Sequence, residues 1–105
     1  MRIIVSLLLL SCISCGADSA VESKREHWSR VTESLNAERP ARTVILEKYS
    51  EFVVPKGAKE NELFLKDTLE LNNLVCKSWS YMVQIIFEES GVLESARMTD
   101  AGMCL

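Results

Sequence analysis

Apolar residues keep changing their spacing along this chain, and each spacing predicts a different element. Ile3, Ile4, Val5 and Leu7 to Leu10 run almost unbroken behind Met1-Arg2, interrupted by Ser6. That run is far short of the roughly 20 apolar residues that a membrane-spanning helix needs, and it predicts a removable export signal. Beyond it the apolar positions thin out to Val21, Trp28, Val31 and Leu35. These share one narrow stripe at helical spacing, with Lys24, Arg25, Glu26, Arg30 and Glu33 on the other faces, so residues 21–38 read as an amphipathic helix. Ser19 followed by Glu22 fits a capping box at its start. Pro40 ends it, because the residue before a proline is pushed out of the helical region.

Ile45, Tyr49, Phe52 and Val53 recur at i, i+4, i+7 and i+8, which predicts a second helix with Pro40 in its first turn. Thr43-Val44-Ile45-Leu46 is rich in β-branched residues and also suits a strand. Residues 41–53 therefore stay open between the two, with helix favoured. Val54-Pro55-Lys56-Gly57 is a break. Lys59 to Leu71 reads as a third helix with Phe64, Leu65, Thr68, Leu69 and Leu71 toward the core, closed by Asn72-Asn73.

From Trp79 the period becomes two. Trp79, Tyr81, Val83, Ile85 and Phe87 alternate with Ser80, Met82, Gln84, Ile86 and Glu88, the pattern of a long half-buried strand. Glu88-Glu89-Ser90-Gly91 supplies a turn, with glycine where a three-residue hairpin loop needs a left-handed residue. A second strand follows from Val92 to about Thr99. If Glu88 faces Val92, then Cys76 and Cys104 fall opposite each other in the same register. Leu93 and Met98 have opposite parity, so a bulge must intervene if both point inward, and Asp100-Ala101-Gly102 is a place for the strand to bend away. The fold class expected is α+β: two or three N-terminal helices packed on a short antiparallel sheet built around a C-terminal β-hairpin.

The cysteines extend this picture to compartment. Cys12 and Cys15 follow the apolar run in Ser11-Cys12-Ile13-Ser14-Cys15-Gly16, which resembles a bacterial lipobox, where small residues precede a lipid-modified cysteine. Cys15 is favoured, with Cys12 as the alternative; an ordinary secretory cut after Ala17 or Ala20 is the remaining reading. The expected organisation is a signal at 1–14, a tether at 15–20 and one domain at 21–105. Gly16 lacks the aspartate that holds many such lipoproteins in the inner membrane, so the outer membrane facing the periplasm is expected, or an exported soluble protein if no lipid is added. With Cys12 removed and Cys15 lipidated, Cys76 and Cys104 remain to form a disulfide, which persists in that compartment and helps a domain this small.

Charge narrows the partners. Removing Arg2 with the signal leaves 11 basic against 15 acidic residues, which argues against nucleic acid as an electrostatic partner. His27 is the sole histidine, between Glu26 and Trp28 on a charged helix, and reads as solvated rather than as a metal ligand. Glu88 and Glu89 lie on a turn, where water keeps both ionised. No phosphate loop, Ser–His–Asp set or zinc-binding motif occurs, so no catalytic residue, metal or cofactor is expected. The one candidate binding surface is Met82, Gln84 and Ile86, on the strand face opposite Phe87, which a single layer of helices would leave uncovered.

The chain also resembles small bacterial envelope lipoproteins of the two-helix-plus-sheet type, in particular the accessory lipoprotein subunit of the β-barrel assembly machinery. The similarity lies in the lipobox, in Gly57-Ala58-Lys59-Glu60-Asn61-Glu62-Leu63 as a Gly-x-x-x-x-Glu-hydrophobic helix start, in Trp79-Ser80-Tyr81, and in Phe87-Glu88-Glu89-Ser90-Gly91-Val92-Leu93. It covers the lipobox and residues 55–95. Ala58 replaces a capping Ser or Thr, no Gly-x-Pro follows the third helix, and neither the helix at 21–38 nor the cysteine pair belongs to that pattern. The resemblance implies a lipid-anchored, non-enzymatic binding or scaffolding module, accessory to envelope assembly, with an envelope protein as partner. An inhibitor or immunity-type protein that blocks a secreted hydrolase is the alternative.

Overall fold

A computed structural model describes residues 16–55, 59–71 and 75–104. The signal, Cys12 and the lipidation candidate Cys15 lie outside the described residues. Helix α1 spans Gly16–Glu38, so residues 16–20, expected as a tether, are helical, and the helix starts before the Ser19 box. No proline stands in that stretch to stop the winding. The stripe is where the spacing placed it, with Val21, Trp28 and Leu35 buried and Val31 packed partly against them. Arg39 closes the helix in the left-handed region, at φ 49°, and its N–H donates to the Leu35 carbonyl at 2.8 Å.

Residues 41–53 are helical but broken. Helix α2 covers Arg42–Lys48, and a single 3-10 turn follows at Ser50–Phe52. Ile45 is buried, while Tyr49, Phe52 and Val53 pack against the core from its rim. The strand reading of Thr43 to Leu46 is not realised.

The third helix expected at 59–71 is instead strand β1, Glu62–Glu70. The motif from Gly57 to Leu63 therefore opens no helix at Glu62 and Leu63. Leu65 and Leu69 explain the misreading: a spacing of four suits both a period near 3.6 and a period of two. Leu63, Leu65, Asp67 and Leu69 all share a face with β2's inward residues, but the charge on Asp67 hides the alternation. β2 is Cys76–Phe87 and β3 is Leu93–Cys104. The sheet order is β1-β2-β3, with both pairs antiparallel. This is the expected α+β class, with one strand more and one helix fewer than the sequence pattern suggested.

The hairpin resolves the parity conflict between Leu93 and Met98 with two irregularities. Phe87 pairs with Leu93 and Ile86 with Ser95, so Glu94 is extra on β3. Ser78 pairs with Met103 and Cys76 with Cys104, so Lys77 is extra on β2. One bulge shifts the register by a residue and the other restores it. The cysteines consequently meet as the turn alone would have placed them, and they form a disulfide across a sequence separation of 28. β3 continues through Asp100 to Cys104 rather than bending away.

The core lies between α1, α2 and one face of the sheet. Trp28, Leu35 and Ile45 meet Leu63, Leu65, Tyr81, Val83, Ile85, Phe87, Leu93 and Ala96 there. Asn36 on α1 fastens the helix to the edge of β3. Its amide nitrogen donates to the Ala96 carbonyl at 2.9 Å, and its oxygen accepts from the Ala96 N–H at 2.8 Å. No described helix is long and apolar enough to cross a membrane.

Candidate functional site

Strand alternation decides which side chains share the sheet face that neither described helix covers. Met82, Gln84 and Ile86 occupy alternate positions on β2, opposite in sense to the buried Tyr81, Val83, Ile85 and Phe87. Phe64 and Arg97 stand directly across from Gln84, Lys66 and Thr99 across from Met82, and Glu62 and Ser95 across from Ile86. Phe64 is thus the diagonal neighbour of both Met82 and Ile86, within reach across a twisted sheet. The three form an apolar patch around the Gln84 amide. All are partly exposed, and none belongs to the core cluster that the helices cover. The Gln84 amide donates to Glu62 at 2.8 Å. That bond and a bond from the Lys59 N–H hold the Glu62 carboxyl below the usual range. Further along the face, Thr68 and Ser80 hydroxyls approach to 3.4 Å.

The opposite face carries the polar chemistry that sequence reading missed. Asp67, Tyr81 and Asp100 form one row across the three strands, and every member of it reaches α1. Asp67 accepts from Lys24 at 2.6 Å and from the Trp28 indole N–H at 3.0 Å. Tyr81 donates its hydroxyl to the Val21 carbonyl at 2.6 Å. Asp100 accepts from Arg25 at 3.0 Å and from the Trp79 indole N–H at 2.7 Å. Partial burial pushes both carboxyls up, but the donors facing them outweigh it and the net shift is down. Burial raises the Tyr81 phenol. Asp100 and Glu22 together raise Arg25. No buried side-chain nitrogen or oxygen among the described residues lacks a partner. This row is a clamp whose donors and acceptors satisfy one another. The signal for it was present in the inward parity of Asp100 and Tyr81; Asp67 was hidden by the helical reading.

The other sequence candidates fall apart from one another. His27 is exposed on α1, edge-on to the Trp28 ring at 5.3 Å. Glu88 is ion-paired with Arg39, and Glu89 is exposed on the turn. Together with Arg42, Glu60, Asn61, Phe87 and Gly91 they line a shallow cleft at the turn end of the hairpin. The Arg42 guanidinium crosses the Phe87 ring there at 5.5 Å and donates to the Glu60 carbonyl at 2.7 Å. Cys76 and Cys104 close the opposite end of the sheet. Among the described residues, no group of three or more His, Cys, Asp or Glu side chains is placed to hold a metal.

No protein-family model matches this chain, and comparison with curated proteins and with solved structures finds no match.

Proposed function

We propose that this protein is a lipid-anchored, non-enzymatic binding or scaffolding module of the bacterial cell envelope. The observation that carries the reading is the uncovered sheet face, on which Phe64, Met82 and Ile86 surround Gln84 while both helices pack on the other side. Such a patch on a domain of this size suits a protein partner that buries apolar side chains and bonds to an amide at their centre. Cys15, after Ile13-Ser14 and before Gly16, supports the anchor, and the disulfide supports an oxidising compartment. A plug for a hydrolase would use a projecting loop. The hairpin turn instead is tied back, with the Arg42 N–H bonded to the Gly91 carbonyl at 3.0 Å.

Cross-linking in intact cells tests the face. Met82→Glu and Ile86→Lys should each shift the free energy of unfolding by under about 0.5 kcal/mol, yet abolish cross-linking to the envelope partner, because a charge buried at an interface without a mate is costly. Phe87→Ala, on the covered face, should cost about 3–5 kcal/mol. Unfolding by Ile86→Lys, or an undiminished cross-link in both variants, would remove the face from consideration.

A further inference from the structure

The free edge of β1 carries a charge pattern complementary to itself. The Val54 N–H donates to the Phe64 carbonyl at 2.9 Å, and Val53 bridges to Leu65. The segment after the 3-10 turn thus pairs with the start of this edge and goes no further along it. The Phe64 backbone groups therefore face away from β2. Backbone groups alternate in direction along a strand, so those of Lys66, Thr68 and Glu70 face the same way. Among the described residues, the bonds between backbone groups outside the three-strand ladder give none of these three a partner; the Thr68 N–H also approaches the neighbouring Asp67 carboxyl, with which a new strand would share it. Their side chains are exposed, and neither Lys66 nor Glu70 takes part in an ion pair among the described residues.

We propose that this edge pairs with the same edge of a second copy of the chain, antiparallel about a two-fold axis through Thr68. In that register Lys66 of each copy stands opposite Glu70 of the other, and Thr68 stands opposite Thr68. Both kinds of cross-strand pair are favourable. The three edge-directed residues of each copy exchange about six main-chain hydrogen bonds. The contact ends at Lys66 and Glu70, because Val53 already stands beside Leu65. A slip of two residues sets Lys66 against Thr68 and loses both ion pairs. A parallel arrangement sets lysine beside lysine. The charges therefore select one register, as the apolar pattern does in a buried strand.

A lysine on an edge strand ordinarily discourages pairing. Here a glutamate at the matching distance on the other side of Thr68 turns the same charge into an attraction. The contact is isologous and closes on itself, so it yields a dimer and no fibre. It converts two three-stranded sheets into one of six strands, order β3-β2-β1-β1-β2-β3, and joins the two uncovered faces. The pairing stands whether or not Met82, Gln84 and Ile86 bind a partner.

Sedimentation equilibrium of the full-length oxidised protein, in density-matched detergent, reads the association directly. The native chain should form a dimer. Lys66→Glu and Glu70→Lys each oppose like charges at both ends of the contact and should weaken the dimer by roughly tenfold or more. An equimolar mixture of the two variants restores both opposite-charge pairs and should regain association. The double exchange, Lys66→Glu with Glu70→Lys, should behave like the native chain, and it keeps the test decisive if a single variant folds poorly. A native chain that stays monomeric at every concentration overturns the proposal. So does a dimer indifferent to the single charge changes, or a loss that neither the mixture nor the double exchange repairs.

Discussion

A Cβ on Gly102 would lie 2.3 Å from Cζ3 and 2.4 Å from Cε3 of the Trp79 ring, closer than nonbonded atoms approach. Gly102 stands directly opposite Trp79 in the hairpin, and the missing side chain lets the ring lie down across β3. The ring is held there at both ends: its N–H reaches Asp100 at 2.7 Å, and the Arg25 guanidinium sits 5.9 Å from its centre. Neither partner can yield without breaking the Arg25–Asp100 pair. Gly102→Ala should therefore destabilise the fold by about 1–3 kcal/mol, the usual cost of overpacking. Thermal melting, together with a shift of the Trp79 indole N–H proton resonance, checks this. An unchanged melting temperature and resonance would mean that the ring has room to spare. In the sequence Gly102 read as a bend; what it provides is a seat for an aromatic ring 23 positions earlier, and no local pattern reports that contact.

At the scale of elements, the row of Asp67, Tyr81 and Asp100 is what locks α1 onto the sheet, since each bonds to a different residue of the helix. Apolar burial alone would let a helix slide along a flat face; bonds of fixed direction choose one position for it. The row also predicts a pH dependence. Both carboxyl pKa values are lowered in the folded protein, while in the unfolded chain they sit near 3.9. A carboxylate with a depressed folded pKa contributes stability that is fully present above the unfolded value. That contribution disappears as pH falls through the folded one. Unfolding free energies in urea should be flat between neutral pH and about 5, then drop below about 4. Asp67→Asn with Asp100→Asn should lower stability at neutral pH by about 1.5–3 kcal/mol per site, the range for bonds to a charged group. The double variant should also lose much of the acid slope. An identical slope in native and variant chains would place the acid sensitivity elsewhere.

At the scale of the whole molecule, the disulfide joins the beginning of β2 to the end of β3. It closes the end of the sheet remote from the turn, while the Arg39–Glu88 ion pair and the bonds from Arg42 and Leu93 fasten the turn end. With a separation of 28 residues, the chain-entropy treatment gives a stabilisation of about 3.5 kcal/mol. Cys104→Ser, or reduction, should lower the melting temperature by about 14–28 °C, at about 4–8 °C per kcal/mol for a domain of this size. Calorimetry of oxidised and reduced protein measures it. A melting temperature unaffected by reduction would show that the hairpin register, with its two cancelling bulges, is held by side-chain packing alone.

Period-two alternation from Trp79 to Phe87, the glycine turn, the helical stripe from Val21 to Leu35 and the opposition of Cys76 to Cys104 were all determined by the sequence, because each depends on neighbours a few residues apart or on a register that one turn sets. The side of β2 on which Met82, Gln84 and Ile86 lie followed from the same alternation. Tertiary structure decided the rest. Residues 62–70 became a strand because β2 offered an edge to pair with, and a four-residue spacing of leucines satisfies helix and strand alike. Asp67 turned inward because Lys24 and Trp28, some 40 residues away, supplied the donors that make a half-buried carboxylate tolerable. The parity conflict between Leu93 and Met98 was visible as a conflict. Its resolution, one bulge at each end of the hairpin, depended on packing Leu93 into the core and Gly102 under Trp79 at once.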